Sequence, residues 1–208
     1  MSVETWLLFL LVSLAPAISP GPGVLFAITN ALRYGVKITI LIGIINAFGI
    51  TILALVVGFG LGAIMSTSVI SFTILKIAGA FYLIWLGLRI WRDRSAFLIN
   101  VEQHSHAAPV RRLAIQALAI SLTNPKAMVA IAALFPPFLN GSVDTTPQII
   151  ILAFSYGALC ALNHIVIAYS GKWLRRFLNS SKRAQRLRQV TGSAFIGFGV
   201  IIAASSRP

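Results

Sequence analysis

Six stretches of about twenty or more largely apolar residues occupy most of this 208-residue chain, at roughly 5–34, 38–64, 69–91, 111–138, 148–171 and 189–206. A bilayer core needs about 20 apolar residues per helix. With 10% charged residues, 58% hydrophobic residues and a mean hydropathy of +0.90, the chain reads as an all-α integral membrane protein. Soluble domains carry about 25% charge. The loops between the stretches are too short to build a soluble domain, so one transmembrane domain over 1–208 is expected.

The net charge of +13 would suggest nucleic acid in a soluble protein. Here the basic residues gather at the ends of alternate apolar stretches. Arg33 and Lys37, then Arg89, Arg92, Arg94, Arg111 and Arg112, then seven Lys and Arg between 172 and 188 fall on one side. The other side, with both termini, has only Arg207. The positive-inside rule makes the basic side cytoplasmic and both termini external. Nucleic acid is not an expected partner, and the run 172–188 reads as a topology determinant at the anionic lipid surface. The N-terminal "MSVET" lacks the positive charge of a signal peptide, so the first stretch reads as a retained span. One cysteine, Cys160, leaves no disulfide or thiol relay within the chain.

Two of the apolar stretches contain strong helix breakers near their centres. The first holds "SPGPG" (19–23) and the fourth holds "TNPKA" (123–127). Proline lacks an N–H and clashes with the carbonyl four residues back. Each break therefore frees carbonyls from the preceding half-helix and N–H groups from the following one. In hydrocarbon such groups cost several kcal/mol each, so this backbone must face protein or a wet cavity. Freed N–H groups attract anions and freed carbonyls attract cations, a combination suited to a zwitterion. Pro20 and Pro125 are about half a chain apart, each in the first span of a three-span half. This is the plan of two inverted repeats, about 1–92 and 111–208, joined by a cytoplasmic linker of about 93–110. Pro20, Gly21, Pro22, Gly23, Asn124, Pro125 and Lys126 are the expected substrate-binding residues.

Lys126 sits about 20 Å along the fourth stretch, where a charge is costly and defaults to a functional role. It could bind a substrate carboxylate, exchange protons, or simply satisfy the freed carbonyls. All four acids (Glu4, Asp93, Glu102, Asp144) lie at ends or in loops. If transport is proton-coupled, Lys126 or His164 must titrate, or the coupling is indirect. His164 and Asn163, mid-span, are also candidates for helix-to-helix hydrogen bonds, and Asn46 reads as a helix stitch. Lys76 is close enough to a span end to snorkel. Gly58-xxx-Gly62, Gly157-xxx-Ala161 and Ser193-xxx-Gly197 have the spacing of close helix contacts. His104 and His106 have no supporting metal ligands, and no HExxH, GxSxG or paired carboxylate lies at membrane depth. No enzyme activity, metal or cofactor is implied.

The stretches "WLLFLLVSLAPAISPGPG" (6–23), "LKIAGAFYLIWLGLRIWR" (75–92) and "NPKAMVAIAALFPPF" (124–138) resemble the LysE/RhtB family of bacterial amino-acid exporters, with Gly79, Ala80, Tyr82 and Leu83 as supporting positions. The resemblance implies six spans in the bacterial inner membrane. It also implies efflux of amino acids or related metabolites, and coupling to the proton gradient. Relatives often carry Asn or Asp where this chain has Gly23, and an acid in the fifth span where this chain has none. The expected partners are a small-molecule substrate and the lipid bilayer, with a homodimer left open. An inorganic-cation exporter and a non-transporting membrane scaffold are the competing readings. The scaffold gains nothing from Lys126.

Overall fold

In the computed structural model the described residues are 1–19, 21–67, 109–178 and 181–204, with single positions of a helical stretch at 74, 77, 80, 81, 84, 85, 87–89, 91 and 92. They are all-α. Helix α1 (Val3–Ile18) is followed by α2 (Pro22–Thr67), α3 (Val110–Leu122), α4 (Pro125–Leu134), a 3-10 turn (Pro136–Phe138), α5 (Thr146–Leu178) and α6 (Ser181–Ala204). Most of the third expected span and the linker, including Lys76, His104 and His106, lies outside the described residues.

By length and composition, α2 over Pro22–Leu61 and α5 over Thr146–Gly171 can each cross a membrane, and the bent pair α3 and α4, at 46°, makes a third such unit. The 40 residues of α2 would span about 60 Å, twice the hydrocarbon thickness. They do not run straight. Gly35 has φ 76° and ψ −171°, a left-handed conformation that favours glycine. On either side of it the chain folds back: a Cβ at Gly23 would lie 3.6 Å from Asn46 Oδ1. Phe26 and Tyr34 also share a cluster with Ile38 and Ile45. Thus α2 is two antiparallel arms, 22–34 and 36–67, and the turn expected between the first two stretches is one residue long.

The second arm of α2 packs along α5 in antiparallel register, and small residues set the distance. A Cβ on Gly43 would come within 2.5 Å of His164 Cβ. Gly157 lies under Thr51 and Ala47, and Gly58 under Ile149 and Phe135. Two of the three expected small-residue spacings therefore supply a contact glycine. In the third, Gly197 has open space, and Gly192 instead meets the backbone of Gly87. Helix α1 closes the bundle through Phe9, which is fully buried and meets Phe135 and Phe138 edge-on at 5.9 and 5.3 Å. Trp6 Nε1 donates to Ser155 Oγ at 2.9 Å. Outward-facing Leu7, Leu11, Phe48, Val56, Phe154 and Val166 remain exposed, as a lipid-facing surface requires.

The ends of α5 correct the sequence reading. The described part of the basic run 172–188 is helical: α5 continues to Leu178 and α6 starts at Ser181, with 179 and 180 outside the description. Lys, Arg, Gln and Leu are good helix formers, and leaving the hydrocarbon does not end a helix. At the other end, buried Gln148 fastens the loop before α5 by accepting from Asn140 N at 2.9 Å and donating to Asp144 O at 2.9 Å. The Thr146 backbone N–H bonds Asp144 Oδ1 and holds that carboxyl below the usual carboxylate range.

Glycine contacts give a paired test of this packing. Gly157→Ala overpacks the α2–α5 interface and should destabilise the protein by about 1–3 kcal/mol. Gly60, exposed with nothing within 4 Å of its Cβ position, should tolerate Ala or gain up to about 1 kcal/mol of helix propensity. Thermal unfolding of both variants in detergent measures the difference.

Candidate functional site

The two breaks are built alike. In the first, α1 ends at Ile18, Ser19 N bonds Ala15 O at 3.0 Å, and Leu25 N bonds Gly21 O at 2.9 Å to start α2. In the second, Thr123 N bonds Ala119 O at 3.0 Å and α4 starts at Pro125. Asn124 Oδ1 accepts from Lys126 N at 3.1 Å and from Ala127 N at 3.4 Å, the hydrogen bonding of a helix N-cap. Proline is pre-organised for the first helical position, where its missing N–H costs nothing. The sequence reading treated Pro20 and Pro125 as matching breakers. In the structure Pro22 and Pro125 each open the helix that follows a break. Pro20 lies outside the described residues.

The breaks meet. Lys126 Nζ donates to the Ser19 carbonyl at 2.6 Å, joining positions 107 residues apart. Asn163 Nδ2 donates to the Ala17 carbonyl at 3.0 Å. Two carbonyls at the end of α1 are thus satisfied by side chains of α4 and α5. The aliphatic part of Lys126 crosses Gly21, where a Cβ would stand 3.0 Å from Lys126 Cδ. A side chain at 21 would make the lysine chain give way by a few tenths of an ångström.

A small cavity lies at the junction, with a volume of about 40 Å³. Gly21 and Gly23 line it from α2, Ser19 from the first break, Asn124 and Lys126 from the second, and Tyr156, Cys160 and His164 from α5. It has room for about two or three waters, well short of the roughly 300 Å³ of a small-molecule site. Seating a larger solute requires the helices to part. Lys126 is the only charged side chain among the described lining residues. Of the expected site residues, Gly21, Gly23, Asn124 and Lys126 converge here with His164, whereas Pro22 is exposed and is not among the lining residues.

His164 Nδ1 lies 2.7 Å from the Cys160 carbonyl of its own helix, so its ring does not link helices through that atom. Nε2 is buried and has no hydrogen-bond partner, and neither has buried Ser19 Oγ. Asn46 Nδ2 donates to Ala117 O at 3.2 Å and stitches α2 to α3, as its position suggested. Sequence reasoning missed Ser19, Tyr156 and Cys160 as lining residues. A signal for two of them was present: Tyr156, Cys160 and His164 follow at i, i+4 and i+8, one face of a helix.

Comparison with known proteins places this geometry in context. The model of the LysE type translocator family matches residues 14–206. An uncharacterized membrane protein of Vibrio cholerae is 33% identical over 207 residues, covering 98% of each chain. The homoserine/homoserine lactone efflux protein of Salmonella typhimurium is 32% identical over 207 residues, covering 99% of this chain and 98% of its own. The leucine efflux protein of an Enterobacter species is 29% identical over 188 residues, covering 88% of each. No solved structure matches.

The cap at the second break is directly testable. Asn124→Ala removes the acceptor for two N–H groups and should destabilise the protein by about 1 kcal/mol. Asn124→Ser or Asn124→Asp should recover most of it, as read by unfolding midpoints in detergent.

Proposed function

The chain belongs to the LysE type translocator family, and on that premise we propose that it exports amino acids or related small metabolites from the cytoplasm by alternating access at the junction of the two breaks. Its family consists of translocators rather than enzymes, and it is a multi-pass membrane protein of small-molecule efflux. The observation that carries the site is the Lys126–Ser19 contact. It brings the first break of one half against that of the other, at a small cavity that Ser19, Asn124, Lys126 and His164 help to line.

In this reading six spans form two inverted three-helix repeats, and rocking of one against the other exposes the cavity to each side in turn. The similar construction of the two breaks supports the repeat. The positively charged helix ends of α2 and α4, together with Lys126 Nζ, receive a substrate carboxylate. The lack of a carboxylate among the described lining residues favours substrates with uncharged side chains, in line with the homoserine and leucine efflux named for relatives. The basic helix ends lie on the cytoplasmic side of the inner membrane, with both termini outside. Return of the empty carrier is coupled to inward movement of a proton.

Uptake of labelled amino acids into inverted membrane vesicles tests this. Gradient-dependent uptake of L-homoserine or L-leucine is expected. Lys126→Met, which removes a charge-assisted contact, should weaken it by about ten- to a hundredfold. Undiminished transport by Lys126→Met would remove the site role of that residue. Uptake of no amino acid across the panel would remove the export reading itself.

A further inference from the structure

His164 presents an acceptor that binding of a carboxylate leaves unused. Its Nδ1 stands 2.7 Å from the Cys160 carbonyl. A carbonyl only accepts, so Nδ1 carries the hydrogen and the neutral ring keeps a bare lone pair on Nε2. The ring is 3% exposed and closely held: Gly43 leaves no room for a Cβ beside His164 Cβ and Cγ. Its free edge borders the cavity that holds Lys126. The Gly23 backbone beside the ring accepts rather than donates, and a buried acceptor without a donor costs about 1–3 kcal/mol, so a donor entering the cavity stabilises this edge.

An amino-acid substrate brings such a donor. Its ammonium needs acceptors, and the described lining residues offer no carboxylate. The Ala17 and Ser19 carbonyls already accept from Asn163 and Lys126. The cavity atoms without a partner are His164 Nε2 and Ser19 Oγ. We propose that His164 Nε2 accepts the substrate's ammonium group, and that the same lone pair takes the coupling proton, so that proton and substrate exclude each other. The inference rests on the amino-acid export reading above and assigns the coupling to one atom.

The exchange balances without a further reactant. With substrate bound, an ammonium N–H donates to Nε2, and a hydroxyl lone pair of Ser19 can take a second N–H. When substrate leaves, Nε2 binds a proton from the outer side and the ring becomes an imidazolium. That form has no lone pair to offer and repels an ammonium at close range. Deprotonation to the less acidic cytoplasm restores the acceptor for the next substrate. The titratable groups that share the cavity with His164 are Lys126 from α4 and Tyr156 and Cys160 from α5. Among the described lining residues α1 and α2 contribute none.

The test uses the full chain in inverted vesicles, with external pH varied from 5.5 to 8 and labelled L-homoserine and L-leucine as probes. For the wild type, the half-saturating concentration should rise about tenfold per pH unit below the imidazole titration, as for simple competition with a proton. Inhibition by 4-methylpentanoate, leucine without its amino group, should not weaken on acidification. His164→Gln keeps an acceptor that does not titrate. It should lose uptake driven by a pH gradient, and the counterflow that remains, at whatever level, should show a flat pH profile. A pH-independent wild type, equal acid sensitivity of the desamino analogue, or a wild-type pH profile in His164→Gln would each overturn the proposal. Should that variant fail to fold, the analogue comparison on the wild type decides. Absence of any amino-acid uptake by the wild type counts instead against the export reading.

Discussion

One hydrogen bond, from Lys126 Nζ to the Ser19 carbonyl, holds together the part of the molecule on which everything else depends. A broken helix within a membrane leaves backbone groups that lipid cannot satisfy. This chain has two such breaks, and a side chain of the second helps to complete the first. Ser19 O is met by a lysine from the second break and Ala17 O by Asn163 from α5. Asn124 supplies the cap that the second break needs for itself. Neither the lysine nor the broken backbone would be cheap alone. Together they fix where α1, α4 and α5 converge, and therefore where the cavity lies.

The surrounding packing serves that convergence. Gly21 lets the lysine chain pass, Gly43 lets α2 approach the His164 ring, and Gly157 and Gly58 keep the same two helices close along their length. Where helices contact through small residues, lipid gains little by separating them, and dispersion does the work that water exclusion does in soluble cores. The junction itself is different. Its hydrogen bonds can be exchanged for bonds to water or to a solute of matching polarity. A cavity of about 40 Å³ beside exchangeable bonds, in a frame held by packing, is what the proposed alternating access requires.

Much of this was legible in the sequence, and the reasons are physical. Apolar length announced the helices, and "SPGPG" and "TNPKA" announced the breaks, because proline removes an N–H and clashes with the preceding turn of a continuous helix. Lys126 stood out as a deep charge that freed carbonyls could satisfy, but which carbonyl was not readable: the contact spans 107 residues and depends on how two helix ends face each other. The reversal at Gly35 carries no local signal beyond a glycine. The helices over 172–178 and 181–188 were hidden because charge was taken as a marker of loops, when it marks only departure from lipid. The face shared by Tyr156, Cys160 and His164 was readable from its spacing and was passed over in favour of His164 alone.

The single cysteine of the chain offers the most direct measurement, because Cys160 lines the cavity. Alkylation of Cys160 by a small thiol reagent, followed by mass spectrometry in inverted vesicles, reports access to the junction of the breaks. If substrate occupies that junction, saturating amounts of a transported amino acid should slow the labelling of Cys160, and an amino acid that is not transported should leave the rate unchanged. Labelling that proceeds at the same rate with and without a transported substrate would place the substrate elsewhere and contradict the account.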